Sequence, residues 1–264
     1  MRIAIGLEYL GSDFHGWQIQ SHDPNTIQAC VESALSSIAG EPIKTVCAGR
    51  TDAGVHALGQ VLHFDTQVSR PMRAWVRGAN RFLPDTVAIQ WAQEVPDDFH
   101  ARYSAEWRQY QYWIQSANVR FAVMSQLRTR VYYALDVDSM RAGAHYLLGE
   151  QDFTSFRAQD CQAKTPNRCI LKCELRTESD CVVLHIKANA FLKHMVRNIV
   201  GTLLMVGQSK RPPDWVAEVL AARNRAAAGP TAPPNGLFLT EVFYPVECGL
   251  NKPTGNSLAS PRHK

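Results

Sequence analysis

Residues 47–66, CAGRTDAGVHALGQVLHFDT, carry the feature around which the rest of the chain is arranged. Two apolar, strand-like arms, 45–48 and 60–64, enclose Gly49, Arg50, Thr51, Asp52, Ala53, Gly54, Val55 and His56. Glycine accepts positive φ and close approach, so Gly49 and Gly54 bracket a tightly shaped loop. An Asp in such a loop ordinarily closes an Asx turn between two strands. A short hairpin needs only Asn-Gly or Asp-Gly, whereas this span crowds Arg50, Thr51, Asp52 and His56 together. One carboxylate beside one guanidinium is more chemistry than a turn requires.

Upstream of the loop, Ile3, Ile5, Leu7 and Tyr9 alternate at period two and predict a strand with one buried face. Pro24-Asn25-Thr26 then supplies cap residues for a helix bearing Ile27, Val31, Ala34, Leu35 and Ile38, which Gly40 stops. Downstream, a second helix is expected from Pro71 to just before Pro84, burying Met72, Trp75, Ala79 and Phe82 or Leu83. Strands at 87–91 and 109–114 complete a β-α-β-β-α-β order close to the ferredoxin-like split βαβ arrangement.

The second half repeats this α/β grammar without sequence repetition. Asp138 is expected to cap a helix closed by Gly149, strands follow at 169–176 and 181–187, and a long helix covers 191–206. A further helix starts at Pro213-Asp214, and 237–243 is a last strand. Residues 116–133 read as a crossover. The expected division is 1–115, an N-terminal ferredoxin-like lobe with the loop; 116–247, a C-terminal lobe; and 248–264, a polar, Gly/Pro-rich flexible tail.

Composition bounds the function. The 264 residues are 45% hydrophobic, enough for a substantial core, and no run approaches the ~20 apolar residues of a membrane span. MRIAIGLEYLGSDF reads as a strand and not as a signal peptide, and the seven dispersed cysteines suit a reducing compartment, so a cytoplasmic protein is expected. Cys161, Cys169, Cys173, Cys181 and His185 contain no C-x-x-C pair, and no metal is expected. There is neither a P-loop nor a G-x-G-x-x-G, and no nucleotide cofactor is expected.

A formal charge of +4 is only mildly basic, so its distribution carries the argument. Arg73, Arg77 and Arg81 recur every four residues with Arg70 just before them, and 116–133 holds Arg120, Arg128 and Arg130 and no acid. Like charges at i, i+4 repel, so an anionic partner explains them better than helix stability does. Tyr110 and Tyr112 share one face of a strand and, as aromatics on strands, read as core. Lys193 and Arg197 form a basic stripe on the long helix.

GRTDAGVHA resembles the active-site motif of the TruA family of pseudouridine synthases. The likeness extends in order through YLGSDFHGWQIQ, VPDDFHARYSAEWRQYQYWI, LLGEQDFTSFRA, IKANAFLKHMVRNIVG and NGLFL, nearly the whole chain. It implies a pseudouridine synthase fold: two pseudo-symmetric, ferredoxin-like lobes sharing a central mixed, mostly antiparallel sheet flanked by helices. It further implies an isomerase acting on uridines of the tRNA anticodon stem-loop, at tRNA positions 38, 39 and 40, as a homodimer without a cofactor. On the matching positions, Asp52 is the catalytic carboxylate and Tyr110 stacks on the flipped uracil. Arg197 pairs with Asp52, Leu237 packs on the base, and Arg50 and His56 shape the loop near the nucleotide backbone. The ionised Asp52 attacks ribose C1′ or removes the 2′ proton, and the sequence does not choose. The alternatives are a non-catalytic tRNA-binding or tRNA-folding protein, and the same chemistry on another RNA.

Overall fold

A computed structural model describes residues 1–21 and 23–250. The strands are β1 (Arg2–Tyr9), β2 (Val46–Cys47), β3 (His56–Asp65), β4 (Val87–Val95), β5 (Trp107–Ser116), β6 (Thr129–Val131), β7 (Gly149–Asp152), β8 (Asn167–Glu178), β9 (Cys181–Ala188) and β10 (Leu237–Phe243). The α-helices are α1 (Ile27–Ala39), α2 (Val137–His145), α3 (Met195–Gly207) and α4 (Trp215–Ala222). All ten strands join one sheet whose main path runs β4-β1-β3-β10-β5-β9-β8-β7, with β2 on β3 and β6 on β5. The sheet is mixed: β3 pairs β10, and β5 pairs β6, in parallel, and the other pairings are antiparallel.

Two split βαβ units are visible in that order. The first runs β4-β1-β3-β2 in space, with α1 between β1 and β2. The second runs β10-β5-β9-β8, with α2 between β5 and β8. β5 therefore opens the second unit instead of completing the first. The seam between them is the short parallel ladder Phe238 to His56 and Leu239 to Ala57. Because β3 begins at the seam, the loop ahead of it lies there as well.

Local chemistry accounts for most of these elements. Thr26 accepts from the Ala29 N–H at 3.3 Å to start α1, and Gly40, at φ 74°, ends it. Ile27, Val31, Ala34 and Leu35 face the core, each larger side chain adding roughly 1.5–3 kcal/mol by burial. In α2 the cap is Asp136, whose carboxylate accepts from the Ser139 N–H at 3.0 Å. Asp138, the expected cap, lies inside the helix and pairs with Arg141 at 2.6 Å.

The segment 71–83 departs from expectation. It forms a π-helical turn, Ala74–Gly78, then a 3-10 turn, Ala79–Arg81, in place of an α-helix. Trp75 and Ala79 are buried and Leu83 nearly so, but Phe82 is exposed. No side chain caps the start, and Gly78 costs about 1 kcal/mol relative to Ala in a helix. The Asn80 amide also bonds both backbone groups of Ile89, at 2.9 and 2.8 Å, tying the segment to β4.

Residues 116–133 return along β5 through β6 and do not simply cross between units. Within the expected tail, Leu250 is buried and the Gly249 carbonyl accepts from Gln93 at 2.6 Å; residues 251–264 lie outside the described residues. Among the described residues no helix is long and apolar enough to cross a membrane.

Candidate active site

The loop 49–55 is held in shape from three sides. Gln60, fully buried and the one amide side chain of β3, donates to the Gly49 carbonyl at 2.6 Å and to the Tyr9 hydroxyl at 3.3 Å. Tyr9 in turn bonds Thr51 Oγ1 at 2.8 Å, and the Trp17 N–H donates to the Thr51 carbonyl at 3.0 Å. Gly54 has φ 76°, and a Cβ there would lie 2.8 Å from Pro234 Cγ, so the turn needs glycine for both conformation and space. The result is a loop whose carboxylate, Asp52, remains partly open to solvent while its backbone is fixed.

His56 explains part of that fixation. Its Nδ1 accepts from the Gly11 N–H at 3.0 Å, so the proton sits on Nε2, which donates to the Gln126 carbonyl at 2.7 Å. Burial lowers its pKa, which keeps the ring neutral. His56 is buried, lies with its ring tilted against Phe238 at a centroid distance of 4.7 Å, and braces the seam from within. Arg50, two residues before Asp52, is exposed and makes no ion pair among the described residues.

From the second unit, α3 brings the counter-charge. Met195, Val196, Ile199, Val200, Leu203 and Val206 are buried, which turns the Arg197 side of the helix toward the loop. Arg197 Nη1 donates to Asp52 Oδ2 at 3.2 Å, and its Nε donates to the Ala232 carbonyl at 2.8 Å. The Ala232 N–H returns a bond to the Arg197 carbonyl at 3.1 Å. The carboxylate is 22% and the guanidinium 14% exposed, a partly dry pair that an oriented guanidinium holds in place.

Asn198, the next residue, is fully buried and anchors the same neighbourhood. It donates to the Phe156 carbonyl at 2.8 Å and accepts from Thr231 at 2.6 Å and Arg225 at 3.1 Å. It thus fixes the strand-free stretch 225–232 that supports Arg197.

His194 is a third group at the carboxylate that the sequence did not reveal. Its Nε2 lies 3.6 Å from Asp52 Oδ2, and its backbone is left-handed, φ 62° and ψ 2°. A non-glycine residue held there costs of order 1–3 kcal/mol, which the surrounding structure must offset. Lys193, beside it, points to Asp160. Gln60 could have been found as a lone amide in an apolar strand; nothing in the spacing marked His194.

Tyr110 is buried on β5, with its ring edge-on to Phe191 at 5.0 Å. A Cβ placed on Gly49 would lie 3.6 Å from its hydroxyl and 4.0 Å from Leu239, so Tyr110 faces the loop. Burial, and then the charge of Asp52, raise its phenol pKa, so it stays protonated. Tyr112, as expected, is core: its hydroxyl bonds Thr129 and the Pro233 carbonyl, each at 2.7 Å. Leu237 pairs with Tyr112 and Leu239 with Tyr110 across the β10–β5 ladder, so period two puts both leucines on the tyrosine face.

Arg70, Arg73, Arg77 and Arg81 are all exposed, and the last three make no ion pair among the described residues. Their segment packs against α1 and the edge strand β4, whereas the loop lies at the mid-sheet seam. In the other arginine run, Arg128 pairs with Asp180 at 3.2 Å, and Arg130 lies 4.0 Å over the Tyr132 ring. Arg128 therefore has an internal partner.

The site chemistry is a single loop carboxylate, partly shielded, fixed by a guanidinium, with an uncharged aromatic and two leucines on one wall. Comparisons with known proteins point the same way. A family model described as tRNA pseudouridine synthase matches residues 7–104 and 144–245. The tRNA pseudouridine synthase A of Tolumonas auensis is 48% identical over 253 residues, covering 96% of this chain and 97% of that protein. That of Methylococcus capsulatus is 53% identical over 250 residues, covering 95% and 92%. That of Pectobacterium atrosepticum is 50% identical over 254 residues, covering 96% and 89%. Identity at this level over nearly the full length places the chain in the tRNA pseudouridine synthase family.

Proposed function

We propose that this protein is an isomerase that converts uridine to pseudouridine in tRNA, with Asp52 as its catalytic carboxylate. The bond from ribose C1′ to uracil N1 breaks, the base turns, and C5 bonds C1′; the C5 proton leaves and N1 gains one. The observation that carries the assignment of Asp52 is its 3.2 Å pairing with Arg197 across the seam, which holds a partly exposed carboxylate in one orientation beside the Tyr110 wall.

Tyr110 supplies the stacking surface for an extruded uracil, replacing lost stacking of ~1–3 kcal/mol per base. Its raised phenol pKa suits an uncharged platform. Leu237, on the same face, closes the base pocket. Arg50, exposed at the loop, meets the nucleotide backbone, and His56 acts indirectly by bracing the loop. Arg70, Arg73, Arg77 and Arg81 hold RNA phosphates, which fixes position and not base identity. The two lobes, divided ahead of β5 and not at 115, supply Asp52 and Arg197 from opposite sides of the seam.

The anticodon stem-loop as target and two copies of the chain as the working assembly, in the cytoplasm, follow from the family resemblance. The test uses tRNA transcripts carrying C5-tritiated uridine. Wild-type protein releases tritium without added metal or nucleotide, and Asp52→Asn binds the same tRNA but releases none. Appreciable release by Asp52→Asn removes Asp52 from its role. Binding without release by the wild type leaves an RNA-binding protein, and pseudouridine mapped outside the anticodon arm changes the substrate site.

A further inference from the structure

Resting on the reading of Asp52 as the catalytic carboxylate, we propose that His194 is a positioning residue. Its imidazole and Arg197 converge on one oxygen of Asp52 and leave the other free for the sugar. Three observations carry this.

The first is convergence. Arg197 Nη1 is 3.2 Å and His194 Nε2 3.6 Å from the same Oδ2, while Oδ1 has no hydrogen-bond partner among the described residues. The second is an unused ring. The His194 side chain is 31% exposed, and its ring makes no hydrogen bond among the described residues; only its backbone carbonyl is engaged, by the Asn198 N–H at 2.9 Å. At 3.6 Å the contact is just beyond hydrogen-bond range, and a shift of a few tenths of an ångström would close it. Catalytic contacts commonly tighten in this way only when substrate fills the cleft. The third is the backbone. His194 is one of four non-glycine residues at positive φ among the described residues, and it sits where the loop before α3 must turn. Residues held in such conformations cluster at functional sites, where the strain fixes a side chain's direction.

The protonation state follows from the surroundings. Burial lowers the His194 pKa from 6.5; Asp52 raises it, Arg197 and Lys193 lower it, and Asp160 raises it. These charges come from the loop before β3, from α3, from the residue before His194 and from the stretch after Phe156. The net direction is downward, so at neutral pH the ring is uncharged and can donate from Nε2 without competing with Arg197 as a cation. Below its pKa it becomes a second full positive charge on the same carboxylate. That draws Asp52 from its working position and weakens it as a nucleophile or base.

Two variants separate positioning from a merely structural role. His194→Gly relieves the left-handed backbone and removes the ring, so thermal stability is unchanged or raised while the single-turnover rate falls by up to about 100-fold. His194→Gln places an amide N–H near the Nε2 position and restores part of the rate. In wild type the rate falls on the acid side, at a pH below the ordinary histidine value because burial holds the His194 pKa down, and in His194→Gln this limb is absent. Binding of tRNA is unchanged in both. Wild-type rate and acid limb in both variants overturn the proposal. Loss of rate that tracks a loss of thermal stability also overturns it, as a structural effect. Turnover by Asp52→Asn instead overturns the underlying assignment, and that result is independent of either His194 variant.

Discussion

The two crossover segments that follow β3 and β9 hold the same place in their split βαβ units yet are built in opposite ways. Ala74–Arg81 is a π turn run into a 3-10 turn, short and lined outward by arginines without ion partners among the described residues. α3 is a regular 13-residue helix, buried almost throughout, whose first turn carries Arg197 to Asp52. The first has Trp75 and Ala79 as its inward anchors and Asn80 tying it to β4. The second has eleven buried residues and Asn198 knotting it to two loops. Position in the topology therefore selects which face of the sheet a segment covers. The density of apolar residues then decides whether it can be long and rigid enough to aim a catalytic partner. A rigid helix suits a contact that must be right within tenths of an ångström. On the reading proposed above, an irregular exposed segment suits phosphates, whose recognition tolerates slack.

That contrast can be broken at its strong end first. Arg197→Ala removes the guanidinium from Asp52 and from the Ala232 carbonyl, and the rate of pseudouridine formation at saturating tRNA should fall roughly 10²–10³-fold, as when one preorganised donor is lost. A wild-type rate would mean that the aim of α3 is irrelevant to chemistry.

The next contrast is between two glycines. A Cβ on Gly201, in α3, would lie 1.6 Å from the Pro230 carbonyl oxygen, a backbone atom, so Gly201→Ala must separate the helix from 229–232. Overpacking of this kind costs about 1–3 kcal/mol or more, and thermal denaturation should register it as a clear drop in midpoint. A Cβ on Gly78, in the irregular segment, meets Ile38 Cδ1 at 2.9 Å, the end of a side chain that can turn away. Gly78→Ala should shift the midpoint little, and equal losses at the two positions would refute the difference in packing.

The smallest effect is expected from the arginine face. Arg73, Arg77 and Arg81 changed together to Ala should weaken tRNA binding and leave the saturated rate unchanged. The salt dependence of log Kd should lose roughly 0.9 per phosphate contact removed. A changed saturated rate with unchanged salt dependence would take these arginines off the RNA.

Much of this could be read from the chain itself. The strand-like arms beside the loop, the capped start and Gly40 stop of α1, and the β10 strand stand close to where the pattern put them, although β3 begins at His56, ahead of the expected arm at 60–64. The loop announced itself because Arg50, Thr51 and Asp52 lie between Gly49 and Gly54, with His56 just beyond, in an apolar setting. What the chain did not announce was whatever depended on a distant partner. The segment 71–83 has helical spacing but lacks a cap and carries Gly78 and Asn80, and its bonds to Ile89 exist only once β4 is beside it. Asp136 outcompeted Asp138 as a cap because the turn before α2 is set by packing on α3, where the Asp136 N–H reaches the Gly207 carbonyl at 2.9 Å.

The sequence by itself determined the alternation of strands and helices, the shaped loop with Asp52, and membership of a family whose motifs it carries in order. Only the tertiary structure decided that β3 and β10 meet in parallel, because pairing between strands so far apart in the chain has no local signal. That meeting brings Asp52 and Arg197, 145 residues apart, to 3.2 Å, and it puts His194 on the same oxygen. Local periodicity reports which face of an element is buried; it carries no information about what lies across the seam, and there the site's electrostatics are made.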